Sequence, residues 1–180
     1  FIADADGSRA DIWTSRADGT DLRQLTACDE IDSGISWSPD GSKIAFVSGY
    51  WDRKDEYPQV WVMDADGDHK VQLTEGPEWH DGPVWSPDGS MIAFSSLRSS
   101  FLGDIWIMNA DGSGKTRVTR TSSTRTSGLN CTRRSIRHKE PQWSPDGMKL
   151  LFLDTMTKGG GTWDCDRLWV LGLDLENGQS

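Results

Sequence analysis

Cysteine is scarce in this 180-residue chain, and so is histidine; each occurs three times. Cys28, Cys131 and Cys165 match no zinc-ligand spacing. An odd number of thiols allows at most one internal disulfide. Cys131 with Cys165 is one pairing, and three free thiols are the alternative. No apolar run approaches the ~20 residues of a membrane span, so no membrane insertion is expected. Almost nothing recurs at the 3.6-residue period, which predicts a chain nearly free of helix. The G-x-S-x-G elbow, the phosphate-binding glycine loop and the H-E-x-x-H pair are all missing. With only His69, His80 and His138 available, no hydrolytic triad is expected. Basic residues are outnumbered, giving a net charge of -9 and a pI of about 4.7. Such a chain repels phosphate backbones and anionic membranes, so nucleic acid is not an expected partner. The sequence opens at Phe1 without Met or a signal peptide, which predicts a processed or partial chain.

What the sequence does contain is a repeat. "WSPDG" occurs at 37–41, 85–89 and 143–147, spaced by 48 and 58 residues. After each copy comes a short apolar strand: "KIAFVS" (43–48), "MIAFSS" (91–96), "KLLFLD" (149–154). A Trp-bearing strand follows: "QVWVMD" (59–64), "DIWIMN" (104–109), "RLWVLG" (167–172), with "DIWTSR" (11–16) as an earlier copy. Next come an "ADG" turn and a polar strand ending in Thr, as in "LRQLT" (22–26) and "KVQLT" (70–74). Proline presets φ for the first turn, and glycine supplies the positive φ that closes a hairpin. The unit is therefore four short antiparallel strands. Seven of the ten Trp fall at fixed places in it: 37, 85 and 143 in the turn, and 13, 61, 106 and 169 in the third strand. They are expected to pack between neighbouring sheets, because a repeated sheet with two apolar faces must stack on its neighbours.

A radially repeated four-stranded unit of roughly 40–50 residues is a β-propeller blade, so the fold class is all-β. The pattern "DIWIMNADGSG…T…PxWSPDGxxIAF" resembles the TolB-type propeller repeat, also seen in propeller domains of prolyl-oligopeptidase-like peptidases. The reading gives about three and a half blades: an incomplete first (1–26), a second (34–74), a third (81–120) and an incomplete fourth (140–175). A closed propeller takes ~4–8 blades. Either the chain is part of a longer ring, or a homodimer closes one ring from two halves.

Hairpin turns of one kind share one end of such a blade. The long, irregular loops 49–58, 97–103 and 155–166 share the other, with the inter-blade segments 27–34, 75–82 and 121–140. Binding is expected there. Trp51-Asp52, Trp79, Asp81 and Trp163-Asp164 are the candidate ligand-binding residues: Trp beside carboxylate suits a sugar, a peptide side chain or a protein. Loop packing is the structural alternative. Five residues before each repeated Trp stand Asp32, His80 and His138, with Asp81 and Glu140 nearby. Converging on the axis, they would hold a divalent metal; bonding at the blade junctions is the alternative. No other cofactor is expected. Segment 115–139 carries eight of the 19 basic residues and no acid, which suits an acidic partner or a solvated loop. "DADGSRAD" (4–11) and "DADGDH" (64–69) lack the acidic twelfth residue of a calcium loop.

The leading expectation is thus a non-catalytic propeller scaffold binding a protein or ligand through its variable loop end. The resemblance implies a periplasmic or secreted setting and a lipoprotein partner. The alternative is the propeller of an enzyme. One form is the gating domain of a prolyl-oligopeptidase-like peptidase. The other is a metal-dependent polysaccharide lyase, because channel histidines hold a metal in related propeller lyases.

Overall fold

A computed structural model describes residues 1–4, 10–27, 31–50, 57–99, 102–120, 133–158 and 165–173. The described residues form fourteen strands and no helix. The reason lies in the turns. In each "WSPDG" the serine hydroxyl donates to the aspartate two residues on: Ser38 to Asp40 and Ser86 to Asp88, both at 2.6 Å. The same hydroxyl accepts the N–H that opens the next strand, from Lys43, Met91 and Lys149, each at 2.9 Å. The Ser38 hydroxyl, with the Ser42 N–H and hydroxyl, holds the Asp40 carboxyl down to about 2. Gly41, Gly89 and Gly147 take φ of 70° to 72°, where a side chain would strain the backbone.

The strands form four blades in three hydrogen-bonded sheets, the last two blades sharing one seven-stranded sheet. The first blade holds β1 (Ile2–Asp4), β2 (Ala10–Thr14) and β3 (Arg23–Gln24). The second holds β4 (Ile31–Trp37), β5 (Lys43–Gly49), β6 (Gln59–Asp64) and β7 (Val71–Gln72) in sequence order. The third repeats this with β8 (Trp79–Trp85), β9 (Met91–Ser99), β10 (Leu102–Asn109) and β11 (Thr116–Arg117). The fourth has β12 (Arg133–Trp143), β13 (Lys149–Lys158) and β14 (Cys165–Gly172). A short parallel pairing of β10 with β12, Leu102 opposite Ile136, joins the last two blades into that one sheet. The innermost strands β4, β8 and β12 lie against one another. The result is an all-β partial propeller of antiparallel blades whose ring is not closed.

Each junction between blades has its own core. Ile12, Leu25, Ile44, Phe46 and Met63 fill the first. Val60, Val62, Trp85, Phe94 and Met108 dominate the second, and Ala93, Ile105, Leu150 and Phe152 the third. Glycine in the "ADG" turn lets one blade approach the next. A Cβ on Gly67 would stand 3.0 Å from the Leu25 carbonyl, and one on Gly112 would stand 3.2 Å from Leu73.

Two expectations change. Not all seven patterned Trp are packed between sheets. Trp85 is 7% exposed, whereas Trp37 is 50% and Trp169 49% exposed; among the described residues no sheet lies beyond the last blade to cover Trp169, and Trp37, at the end of β4, lies beside the short first sheet and is only partly covered by it. The loop end is also less irregular than the sequence suggested. β9 and β10 extend through most of 97–103, β13 runs to Lys158, and β4, β8 and β12 begin inside the supposed inter-blade loops.

Candidate functional site

The three aligned polar residues occupy one register. Asp32 pairs with Ser48, His80 with Ser96 and His138 with Asp154, each across the first and second strands of its blade. Asp32 is fully buried, His80 buried and His138 half-buried. His80 stands edge-on to Phe94, with ring centroids 5.3 Å apart, and His138 tilts against Phe152 at 4.8 Å. Burial, with the Lys115 charge, pulls the His80 pKa down to about 4, so the ring is neutral at pH 7. Burial also lowers that of His138, opposed by the Asp154 and Asp104 carboxylates.

His138 reaches toward the preceding blade. Its Nδ1 lies 2.7 Å from Oγ1 of Thr119, at the end of the third blade's outer strand. That hydroxyl belongs to a repeated device. Oγ1 of Thr26, Thr74 and Thr119 accepts the backbone N–H of Ile12, Val60 and Ile105 at 2.8, 2.9 and 2.9 Å. Thr74 donates its own proton to Gln59 Oε1 at 2.8 Å, as Thr119 does to Asp104 Oδ1 at 3.5 Å. His80 Nδ1 has no hydrogen-bond partner among the described residues. Near His138 the network widens: Asp104, 2% exposed, is paired with Arg117 at 2.6 Å. No group of three or more His, Cys, Asp or Glu comes within metal-holding reach among the described residues.

A second set of charges lies where the inner strands bulge. Gly34, Gly82 and Glu140 occupy equivalent bulges, three residues before each repeated Trp, with φ of 57°, 57° and 55°. Asp81, just before the second bulge, takes the Gly82 N–H at 2.8 Å. Burial raises its pKa, and the Glu140 charge raises it further; the Gly82 bond and Lys139 oppose this. Lys139 Nζ lies 3.5 Å from Glu140 Oε1. Trp79 opens the same strand as Asp81 and is half-buried. Asp81, Lys139, Glu140 and Trp79 are therefore the sequence-derived residues clustered on adjoining inner strands. Trp51, Asp52, Trp163 and Asp164 lie outside the described residues.

The basic segment is partly engaged in the fold. Besides Arg117, Lys115 donates to the Gly112 carbonyl at 2.6 Å; residues 121–132 lie outside the described set. Sequence reasoning missed the Asp104–Arg117 pair and the left-handed Glu140. The second was readable from the shared spacing of Gly34, Gly82 and Glu140. It also missed a groove of about 490 Å³ on the turn end, lined by Pro39, Lys43, Trp85 and Asp111 among others. No string of residues signals that groove, since it forms only when two blades stack.

Among solved structures, a TolB-like protein of Agrobacterium tumefaciens superposes with a TM-score of 0.72 over 96% of this chain, at 24% identity. The TolB of Acinetobacter baumannii matches over 94% with a TM-score of 0.60, at 20% identity. The fold is that of a TolB-type propeller. An oligogalacturonate lyase bound to manganese also matches this propeller, with a TM-score of 0.58, 22% identity and 96% coverage of this chain. The chain spans 56%, 36% and 43% of the lengths of those three proteins. No family model and no curated protein matches it. At these identities the likeness establishes fold and leaves activity open.

Proposed function

We propose that this propeller is a non-catalytic binding scaffold of the bacterial envelope, periplasmic like the TolB proteins whose fold it shares. It contacts a protein partner through the end bearing Trp79, Asp81, Lys139 and Glu140. In this reading two chains close one ring. The observation that carries the scaffold reading is the bond from His138 to Thr119 of the preceding blade. It makes the histidine part of the joint between two blades, while its Nε2 stays open among the described residues, so metal analysis decides between scaffold and lyase. The exposed charges at the bulges then remain as the recognition elements.

Two measurements test this. Dialysis against Mn²⁺ followed by metal analysis is expected to leave no stoichiometric ion. One bound ion per chain, lost in both His80→Ala and His138→Ala, would establish the lyase reading instead. A photo-crosslinking residue at position 79 or 81 in the producing cell should give one discrete protein adduct. Its absence from both positions would refute the partner-binding end.

A further inference from the structure

The groove on the turn end lies where two complete blades meet. Pro39 of the second blade covers a turn of the third: a Cβ on Gly89 would stand 3.6 Å from Pro39 Cδ. The two turns of the third blade are tied together, since Ala110 donates its N–H to the Ser90 carbonyl at 2.9 Å. Asp40, Asp88 and Asp111 are therefore carried on three adjoining turns. All three are exposed, and they line the same space of about 490 Å³ with Pro39, Trp85 and Ala110.

The next junction shows why this space is open. Leu173 makes the bond there that Ala110 makes here, donating to the Met148 carbonyl at 2.8 Å. Its side chain packs on the core that holds Leu150 and Phe152. A leucine thus stands where the groove has only the Ala110 methyl. The indoles differ too. Trp143 donates Nε1 to the Val84 carbonyl of the preceding blade at 3.1 Å. Its counterpart Trp85 is 7% exposed, and its Nε1 has no partner among the described residues. A buried donor left without an acceptor beside a groove favours an occupant that carries carbonyl oxygens.

The charge around the groove is of one sign. Lys43 is the one cation among its lining residues, and its Nζ already lies 2.8 Å from Asp64 Oδ1. The three carboxylates stay ionised. Hydrogen bonds from Ser38 and Ser42 hold Asp40 below the usual carboxylate range, those from Ser86 and Ser90 hold Asp88, and those from Ser113 hold Asp111. An apolar wall with fixed negative charge at its rim complements a cation on an apolar stem. The open indole donor selects a peptide over a bare amine.

We infer that this groove docks a basic polypeptide segment of a partner protein. The stem of an arginine or lysine lies against Trp85 and Ala110, and its charge meets Asp40, Asp88 and Asp111. The groove is at the opposite end of the blades from Trp79, Asp81, Lys139 and Glu140, so it is a second binding surface, independent of the first.

The test is fluorescence anisotropy of a fluorescein-labelled hexapeptide of alternating arginine and alanine. It is titrated with the intact chain at about 0.15 M salt, where distant charges are screened. Saturable one-to-one binding is expected. Asp111→Asn should weaken it about fivefold. Asp66→Asn changes the same turn position one blade earlier, outside the groove, and should leave binding unchanged. Ala110→Leu fills the groove with the residue that the next blade carries. It should abolish binding while leaving the circular dichroism of the sheets intact. If that variant does not fold, Asp111→Asn against Asp66→Asn still decides. No saturable binding overturns the inference, and so does full binding by a folded Ala110→Leu. Equal weakening by Asp66→Asn and Asp111→Asn also overturns it, since the attraction would then belong to the net charge.

Discussion

Glu140→Gly should make this protein more stable, although it deletes a charged side chain and adds a flexible residue. Glu140 sits at φ 55° in a bulge where the two preceding blades place glycine at 57°. The left-handed conformation costs an L-residue about 1–2 kcal/mol. Glycine gives back roughly 0.5–1 kcal/mol through the extra freedom of its unfolded chain. The Lys139–Glu140 pair, 3.5 Å apart with both side chains exposed, contributes little, as surface pairs do. A net gain of roughly 0.5–1 kcal/mol remains, a rise of about 1–4 °C in Tm for a domain of this size. Urea midpoints at constant m-value measure it, with Glu140→Gln as the control that removes charge and keeps strain. The reciprocal changes calibrate the argument. Gly82→Ala meets only Pro141 Cδ at 3.9 Å and should lose about what Glu140→Gly gains. Gly34→Ala also places a Cβ 3.1 Å from the Gly82 nitrogen and should lose more. If Glu140→Gly is neutral or destabilising while Gly82→Ala is costly, the strain argument is wrong at position 140, and the carboxylate contributes a contact that outweighs it.

Thr119→Val should cost about 2–3 kcal/mol, since it orphans the Ile105 N–H and His138 Nδ1 together, while Thr119→Ser should cost much less; chemical denaturation separates them. His80 has a folded pKa of about 4 against 6.5 ordinarily, so below 6.5 the unfolded chain binds a proton that the folded chain refuses. Stability should therefore fall as pH drops from 6.5 towards 4, by up to about 3 kcal/mol, and His80→Phe should flatten that part of the profile. Light scattering on a sizing column should give a particle of twice the 20.0 kDa chain if two copies close a ring; a single-chain mass would refute the dimer.

The fold was legible because its punctuation is local. Ser38, Pro39, Asp40 and Gly41 form a turn from contacts within a few residues, so three copies of the string announced three hairpins. The aligned positions of Asp32, His80 and His138 were legible for the same reason. Their direction was not. Whether His138 points to the axis or to Thr119 depends on how two blades stack, and Thr119 lies 19 residues away. Trp37 and Trp169 show the same limit. Their place in the repeat is a local fact, whereas their burial depends on a neighbouring sheet that the repeat alone does not guarantee. The Asp104–Arg117 pair was hidden because Arg117 belongs by composition to a basic run yet by structure to a buried acid.

The seating of Leu25 on Gly67 and of Leu73 on Gly112 makes each turn a reader of the blade before it. Contacts of this kind run only between neighbours. Excising or duplicating a segment from one such glycine to the next would regenerate the same joint at the splice, with leucine again meeting glycine. A cut that changed the length of the repeat would set a leucine against a residue with a side chain. Blade number is thus free to drift in whole units while the phase of the repeat is held fixed. A lineage built this way changes the circumference of its ring far more readily than the spacing within it.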